Sequence, residues 1–247
     1  MSQLVILSGP SCVGKGPLFE ALKKFYPELA EKFVQLILYN DRAPRPGEVD
    51  GRDYYFRPRG EIEALRSVDG HILVDVRGDL QALEVAQIQR IFDQGNIPFF
   101  EGNPFVPAKL RESGLFDRIP SLAVFLSPLS RDEILYLKNP QRRVDLAQFV
   151  ADVQRRKLLH RARRQKVNLS LKDLENIEKR AASAIVEMRE AWKFQHVIHL
   201  PDGEGNDNWD AFYYPIGSAR KALIAFAELL KGETPAYIEH WEKELIP

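Results

Sequence analysis

Gly9-Pro10-Ser11-Cys12-Val13-Gly14-Lys15-Gly16 is the stretch whose residue types can do chemistry. Two glycines five apart let the backbone turn sharply with its N–H groups pointing inward, and a lysine after the second can reach the outer phosphates of a nucleotide. The octet fits the phosphate-loop pattern G-x-x-x-x-G-K, but the next position is Gly16 where Ser or Thr is usual. That hydroxyl ordinarily sits on Mg²⁺, so a metal ligand has to come from elsewhere in the chain. A second grip is offered by Arg42 and Arg45, three apart, with Pro44 and Pro46 stiffening the turn. Two rigidly spaced guanidiniums suit a phosphate held by paired hydrogen bonds, and Tyr54 can donate its hydroxyl to the same anion. Composition alone would read this stretch as a surface turn with solvated arginines.

The flanking elements decide whether these residues can act. Leu4-Val5-Ile6-Leu7 reads as a strand, and Leu18 to Lys24 has helical spacing. Together they frame the glycine turn as strand, loop and helix, with the helix N-terminus aimed at an anion. Pro27 ends the helix. A strand is expected over 33–38, running into the arginine turn and then a glycine-bearing hairpin that leads to an aromatic strand ending at Phe56. Residues 61–67 form a short amphipathic helix, and 83–94 a longer one stopped by Gly95-Asn96. Ile97 to Asn103 is the next core strand. Its Glu101 is the candidate magnesium contact, since an acid at such a strand end holds the metal's water shell in many phosphate-loop enzymes. Leu122 to Pro128 and His196 to Leu200 are further strands, 131–137 begins a helix, Ser170 is a helix cap, and Ser218 to Lys231 is an amphipathic helix.

Bulk composition narrows the class. The chain has 247 residues, 45% hydrophobic and 28% charged, which suits a globular domain with small appended lobes. Lys plus Arg equals Asp plus Glu, so no net field recruits nucleic acid or an anionic membrane. The run RRKLLHRARRQK over 155–166 suggests an RNA-binding helix when read alone. With zero net charge and no interleaved aromatics, a helix bearing solvated arginines is the expectation. One cysteine, Cys12, excludes an internal disulfide and a four-cysteine zinc site. No run approaches a membrane span and no signal peptide is evident, so a reducing cytoplasmic setting is expected.

Arg42, Pro44, Arg45, Gly47, Glu48, Gly51, Asp53, Tyr54 and Phe56, at this distance behind the phosphate loop, resemble the guanylate kinase signature R-x-P-R-x-G-E-x-x-G-x-D-Y-x-F. The resemblance implies that Arg42, Arg45 and Tyr54 bind the acceptor nucleotide's phosphate. Tyr39, Asn40 and Asp41 replace the hydroxyl residues usual before the first arginine. Where that family carries E-x-x-E-V-x-G-N-x-Y-G, alignment on Gly78 puts Ile72 at the base-reading acid, Asp75 at the second acid and Gln81 at the phosphate-holding tyrosine. Asp79 is a further acid able to take over if the loop is shifted. The resemblance also implies a closing lid between about 138 and 156, whose Arg142, Arg143, Arg155 and Arg156 stabilise the transferred group. The interval from there to the last strand exceeds the family's, marking 167–189 as a helical extension. An acidic loop, 201–208, is expected to border the adenine pocket.

The expected fold is therefore α/β: a three-layer P-loop NTPase fold with a mainly parallel core sheet (about 1–35, 83–130 and 190–231), an inserted small mixed β acceptor-binding lobe (about 36–82) and a helical lid (about 131–160). The expected activity is ATP-dependent, Mg²⁺-assisted phosphorylation of GMP or dGMP, with Gly9 to Gly16 around the donor phosphates. Two alternatives stand beside it, a degenerate binding module and a kinase for another small phosphorylated molecule. Neither a nucleic acid nor a membrane is an expected partner. The tail over 232–247, with Tyr237, Ile238 and Trp241, is expected to dock either on the body or on a second subunit, which leaves a homodimer open.

Overall fold

The computed structural model describes residues 3–45, 47–166 and 168–247. Pro46 of the arginine turn and Val167, the first residue of the expected helical extension, lie outside the described residues, as do Met1 and Ser2. The strands are β1 (Leu4–Ser8), β2 (Phe33–Gln35), β3 (Tyr39–Asn40), β4 (Tyr55–Phe56), β5 (His71–Val76), β6 (Asp79–Glu84), β7 (Ile97–Gly102), β8 (Ser121–Ser127) and β9 (His196–His199). The helices are α1 (Lys15–Phe25), α2 (Pro27–Ala30), α3 (Arg59–Ala64), α4 (Ala86–Asp93), α5 (Phe105–Glu112), α6 (Arg131–Lys138), α7 (Leu146–Gln165), α8 (Leu171–Ala182), α9 (Ala184–Met188) and α10 (Gly217–Leu230). A five-stranded sheet has the order β2-β7-β1-β8-β9, and a four-stranded one the order β4-β3-β6-β5. The α/β class, with a mostly parallel core sheet and a second mixed sheet, is as expected. The chain divides into two compact units, Met1–Ile6 with Lys32–Leu122 and Leu7–Glu31 with Ala123–Pro247.

In the first unit β2 runs parallel to β7, with Phe33 opposite Ile97 and the rings of Phe33 and Phe99 stacked at 5.1 Å. The single strand expected over 33–38 is instead cut in two. Leu36 N still donates to Phe99 O, but the backbone of Ile37 is bonded in both directions by the side-chain amide of Gln87. Tyr39 and Asn40 then join the second sheet. There β3 and β4 are parallel, so the chain between them is a returning loop and not the expected hairpin. Asp50 anchors that loop by accepting from Phe56 N. The helix expected from Leu83 begins only at Ala86, because Leu83 and Glu84 are still paired with β5.

The mixed sheet has two unlike faces, as alternation along strands requires. Leu80 and Ala82 pack with Ile62 of α3, and Tyr39, Leu65 and Leu73 close the cluster. Register puts Asn40 opposite Gln81 on the other face, with Asp79 two residues along. One face is therefore apolar and covered by α3, and the other carries polar groups.

In the second unit β8 runs parallel to β9, with Val124 opposite His196. Helix α1 packs with α10, and α7 with α8. Pro17 is tolerated in α1 because the first turn of a helix needs no N–H. Ser170 caps α8 through a reciprocal pair with Asp173, as its position suggested. The tail docks on its own unit. Trp241, Leu245 and Ile246 are buried, Glu239 exchanges backbone hydrogen bonds with Val197, and Lys138 Nζ donates to the carbonyls of Glu244 and Leu245. Among the described residues no helix is long and apolar enough to cross a membrane.

Candidate active site

Strand β1 delivers the phosphate loop. Five buried residues, Leu4 to Ser8, hold it in place, and the chain then turns at Gly9 with φ 146°. A Cβ on Gly9 would stand 2.4 Å from Leu126 O, so only glycine fits. Cys12 at φ 67° and Gly14 at φ 113° give the succession of left-handed residues that turns backbone N–H groups into one concavity. Helix α1 starts at Lys15 with no side-chain cap, leaving its first N–H groups for an anion. The Lys15 ammonium is buried within the loop, where it donates to Gly9 O and Pro10 O at 2.9 Å each. These features fit a bound polyphosphate. Gly9→Ala is expected to cost about 3 kcal/mol from strain and clash together, read by urea denaturation, and to abolish binding of a nucleotide to the loop. A variant of wild-type stability would contradict this account of the turn.

In the other unit Glu48 organises the arginine turn. Its carboxylate takes a fork of hydrogen bonds from Arg42 at 2.7 and 2.6 Å and a third from Arg45 N at 2.7 Å. Arg42 lies 5.1 Å from the Tyr54 ring and 5.5 Å from that of Phe56. Burial is the largest influence on Glu48 and opposes its charge, but the Arg42 hydrogen bonds, the Arg45 N–H and the charges of both arginines together outweigh it and hold the carboxyl below its ordinary range. The same pairing raises Arg42 against its own burial. Arg42 is thus a stacked, charge-fixed guanidinium, while Arg45 is the more exposed of the two.

The polar face of the mixed sheet continues this site. Asn40 is fully buried, accepts from Arg42 N through Oδ1, and has no partner for Nδ2 among the described residues. Gln81 is buried and accepts from Asn103, which also caps α5 through Phe105 N. Burial, and then the neighbouring charge of Asp41, push the Asp79 carboxyl up against the pull of Arg42, Arg45 and Arg77. Asp75 lies elsewhere. It is exposed and accepts from Gly78 N at 2.8 Å, closing the β5–β6 turn, which leaves it a turn residue rather than a base-reading acid. The sequence reading passed over the roles of Glu48 and Asn40. The signal for Glu48 was an acid three residues behind Arg45, the spacing of a turn that folds back on itself. Glu101 lies near the end of β7, half-buried.

The four arginines expected of a lid are not equivalent. Arg142 stacks on Tyr136 at 4.1 Å, and Arg143 follows in a left-handed conformation. Arg156 donates weakly to Asp152 O at 3.3 Å within its own helix. Arg155 is gripped by Asp152 and by both oxygens of Glu178, which ties α7 to α8 and does not present its guanidinium to a ligand. The acidic loop after β9 lies on the phosphate loop, with Glu204 N donating to Cys12 O at 3.2 Å and Trp209 beside Gly14.

Comparison with known proteins gives a family model described as guanylate kinase that matches residues 1–164. The guanylate kinase of Rhodococcus jostii is 34% identical over 141 residues, covering 54% of this chain and 62% of the relative. That of Cereibacter sphaeroides is 35% identical over 132 residues, covering 53% and 60%. The chain thus aligns with about three fifths of these relatives' length. A crystal structure of guanylate kinase from Anaplasma phagocytophilum superposes with a TM-score of 0.54 at 18% identity, covering 94% of this chain and 85% of that one, a likeness of fold.

Proposed function

The chain belongs to the guanylate kinase family, and from that premise we propose that it catalyses ATP-dependent phosphorylation of a nucleoside monophosphate, GMP or dGMP, to the diphosphate. The observation that carries the reading is the phosphate loop, with Cys12 and Gly14 in left-handed conformations and Lys15 held among the loop carbonyls. Lys15 and the loop N–H groups would hold the donor phosphates. Arg42, with Arg45 and Tyr54, would hold the acceptor phosphate. Arg142, Arg143 and Arg156 are the lid arginines left to meet charge developing on the transferred group. No general base is required, because an ionised phosphate oxygen is already a nucleophile.

Of the two acids the sequence offers for reading a guanine edge, Asp75 closes a turn, and Asp79 lies on the polar face with Asn40 and Gln81. We assign the base contact to Asp79. Magnesium takes most of its ligands from phosphate and water. A site with a single protein carboxylate suits it, and among the described residues no cluster of three or more His, Cys, Asp or Glu could cage a metal. Glu101 would hold the metal's water shell, and the ion would supply charge neutralisation on the phosphates. The setting is the cytoplasm, where the Cys12 thiol stays reduced.

A coupled ADP-release assay against GMP, dGMP, AMP, UMP, CMP and a sugar phosphate tests the assignment. Turnover with GMP and dGMP above all others is expected. Turnover with the sugar phosphate alone would move the enzyme to another acceptor, and none with any substrate would remove the kinase reading.

A further inference from the structure

Helix α7 carries two buried polar side chains whose end groups have no partner among the described residues. Gln154 is fully buried, and neither its Oε1 nor its Nε2 is hydrogen-bonded. Lys157, three residues on, is half-buried as a whole, but its ammonium nitrogen is shut off from solvent and also unbonded. Interiors pair roughly 90% or more of such groups, so an unmatched buried donor calls for a physical explanation, an acceptor that binds from outside among them.

The location points to what that acceptor is. Leu158, beside Lys157, packs on Cys12 of the phosphate loop together with Ile177 and Ala181 of α8. The lysine stem and the loop backbone meet at Gly203, where a Cβ would lie 3.0 Å from Lys157 Cδ and 2.9 Å from Cys12 O. The segment is fixed there by the Arg161–Glu204 ion pair and by Trp209 Nε1 donating to Gly203 O. The charged or titratable groups facing the ammonium are Cys12 on the loop, Asp202 after β9, Glu133 on α6 and His199 on β9, the last 3.3 Å from Glu133. None of the carboxylates bonds it. Burial pushes the Lys157 ammonium down to about 8 despite those negative neighbours.

Resting on the reading that the phosphate loop binds the donor nucleotide, we propose that Lys157 is a donor-phosphate contact supplied by α7, a cation whose acceptors are polyphosphate oxygens. The run of basic residues over 155–166 then divides by role: Arg155 binds α7 to α8, Arg161 and Arg164 bind it to the loop after β9, and Lys157 faces the ligand. A lysine kept only for structure would behave oppositely on removal. Deleting a buried cation without a bonded partner relieves the free protein, while deleting a ligand contact weakens binding. Because the folded value of Lys157 lies below the ordinary lysine range, the unfolded chain keeps a proton that the fold releases above about 8. Its contribution therefore makes the free protein more stable as pH rises from there towards 10.5.

The test is calorimetric titration of the full chain with the magnesium complex of AMP-PNP and with inorganic tripolyphosphate. Lys157→Met should raise the Kd of both at least tenfold, leave that of GMP within twofold, and leave the melting temperature of the free protein unchanged or higher. Wild-type affinity for AMP-PNP should fall between pH 7.5 and 9, and Lys157→Arg should remove that fall, a readout that survives even if the methionine variant folds badly. A Kd for Lys157→Met within threefold of wild type, or wild-type affinity flat across that pH range, overturns the proposal and leaves the kinase reading standing. Absence of AMP-PNP binding by the wild type removes both. Wild-type binding without turnover on any acceptor removes the kinase reading alone.

Discussion

Lys15→Ala is expected to lower kcat on the order of 10³-fold or more, the scale on which removal of a transition-state cation acts in phosphoryl transfer. The ammonium is fixed in advance by the carbonyls of Gly9 and Pro10, so no reorganisation of a long solvated chain precedes its contact with phosphate. Arginine cannot substitute, since a planar fork does not fit a pocket shaped for one compact ammonium. Lys15→Arg should therefore lose nearly as much. GMP affinity, which draws on Arg42, Arg45 and Tyr54, should stay within about twofold. A Lys15→Ala variant retaining a tenth of wild-type kcat, with its fold intact by circular dichroism, would show that the loop does not hold the reacting phosphates.

Arg42→Met should raise the acceptor KM about 100-fold with ATP affinity unchanged. A bidentate guanidinium–phosphate contact consists of two charge-assisted hydrogen bonds, each worth roughly 1.5–3 kcal/mol, and tenfold corresponds to about 1.4 kcal/mol. Glu48→Gln separates holding Arg42 from being Arg42. It keeps the side-chain volume but gives up the ion pair, so the acceptor KM should rise about tenfold. The sign of the pH effect follows from the depressed Glu48 value. The carboxylate's stabilisation is fully present above the ordinary glutamate range near 4.5, and is lost as pH falls through its lower folded value. Wild type should accordingly lose more stability in acid than Glu48→Gln does. Equal acid sensitivity of the two proteins in thermal melts would mean that the fork bonds contribute little in solution.

The phosphate loop was legible in the sequence because its determinants are local: an apolar strand, two glycines with positive φ, a lysine and an amphipathic helix, all within 25 residues. The arginine turn was legible for the same reason: the Arg42–Glu48 fork and the Tyr54 and Phe56 rings beside Arg42 all lie within fifteen residues. What could not be read depends on partners far along the chain. The break after Leu36 is made by Gln87, fifty residues away. The spacing of Leu83, Val85 and Ile88 suits a helix, and only pairing with β5 makes Leu83 a strand residue. Asp75 aligned with the family's second acid, yet Arg77 and Gly78, both at positive φ, close a two-residue hairpin that it serves. Arg155 and Lys157 are two residues apart in one basic run, and nothing in the run tells which faces Glu178 and which faces the phosphate loop. The tail offered buried-looking aromatics without an address, and Glu239 supplied it by bonding to Val197.

The most direct test follows the label from γ-³²P-ATP in the presence of GMP and magnesium. The account predicts that it appears on the β-phosphate of GDP in step with ADP, and that Lys15→Ala and Arg42→Met each suppress it. Label released only as inorganic phosphate, or retained in ATP with every nucleoside monophosphate offered, would contradict the assignment.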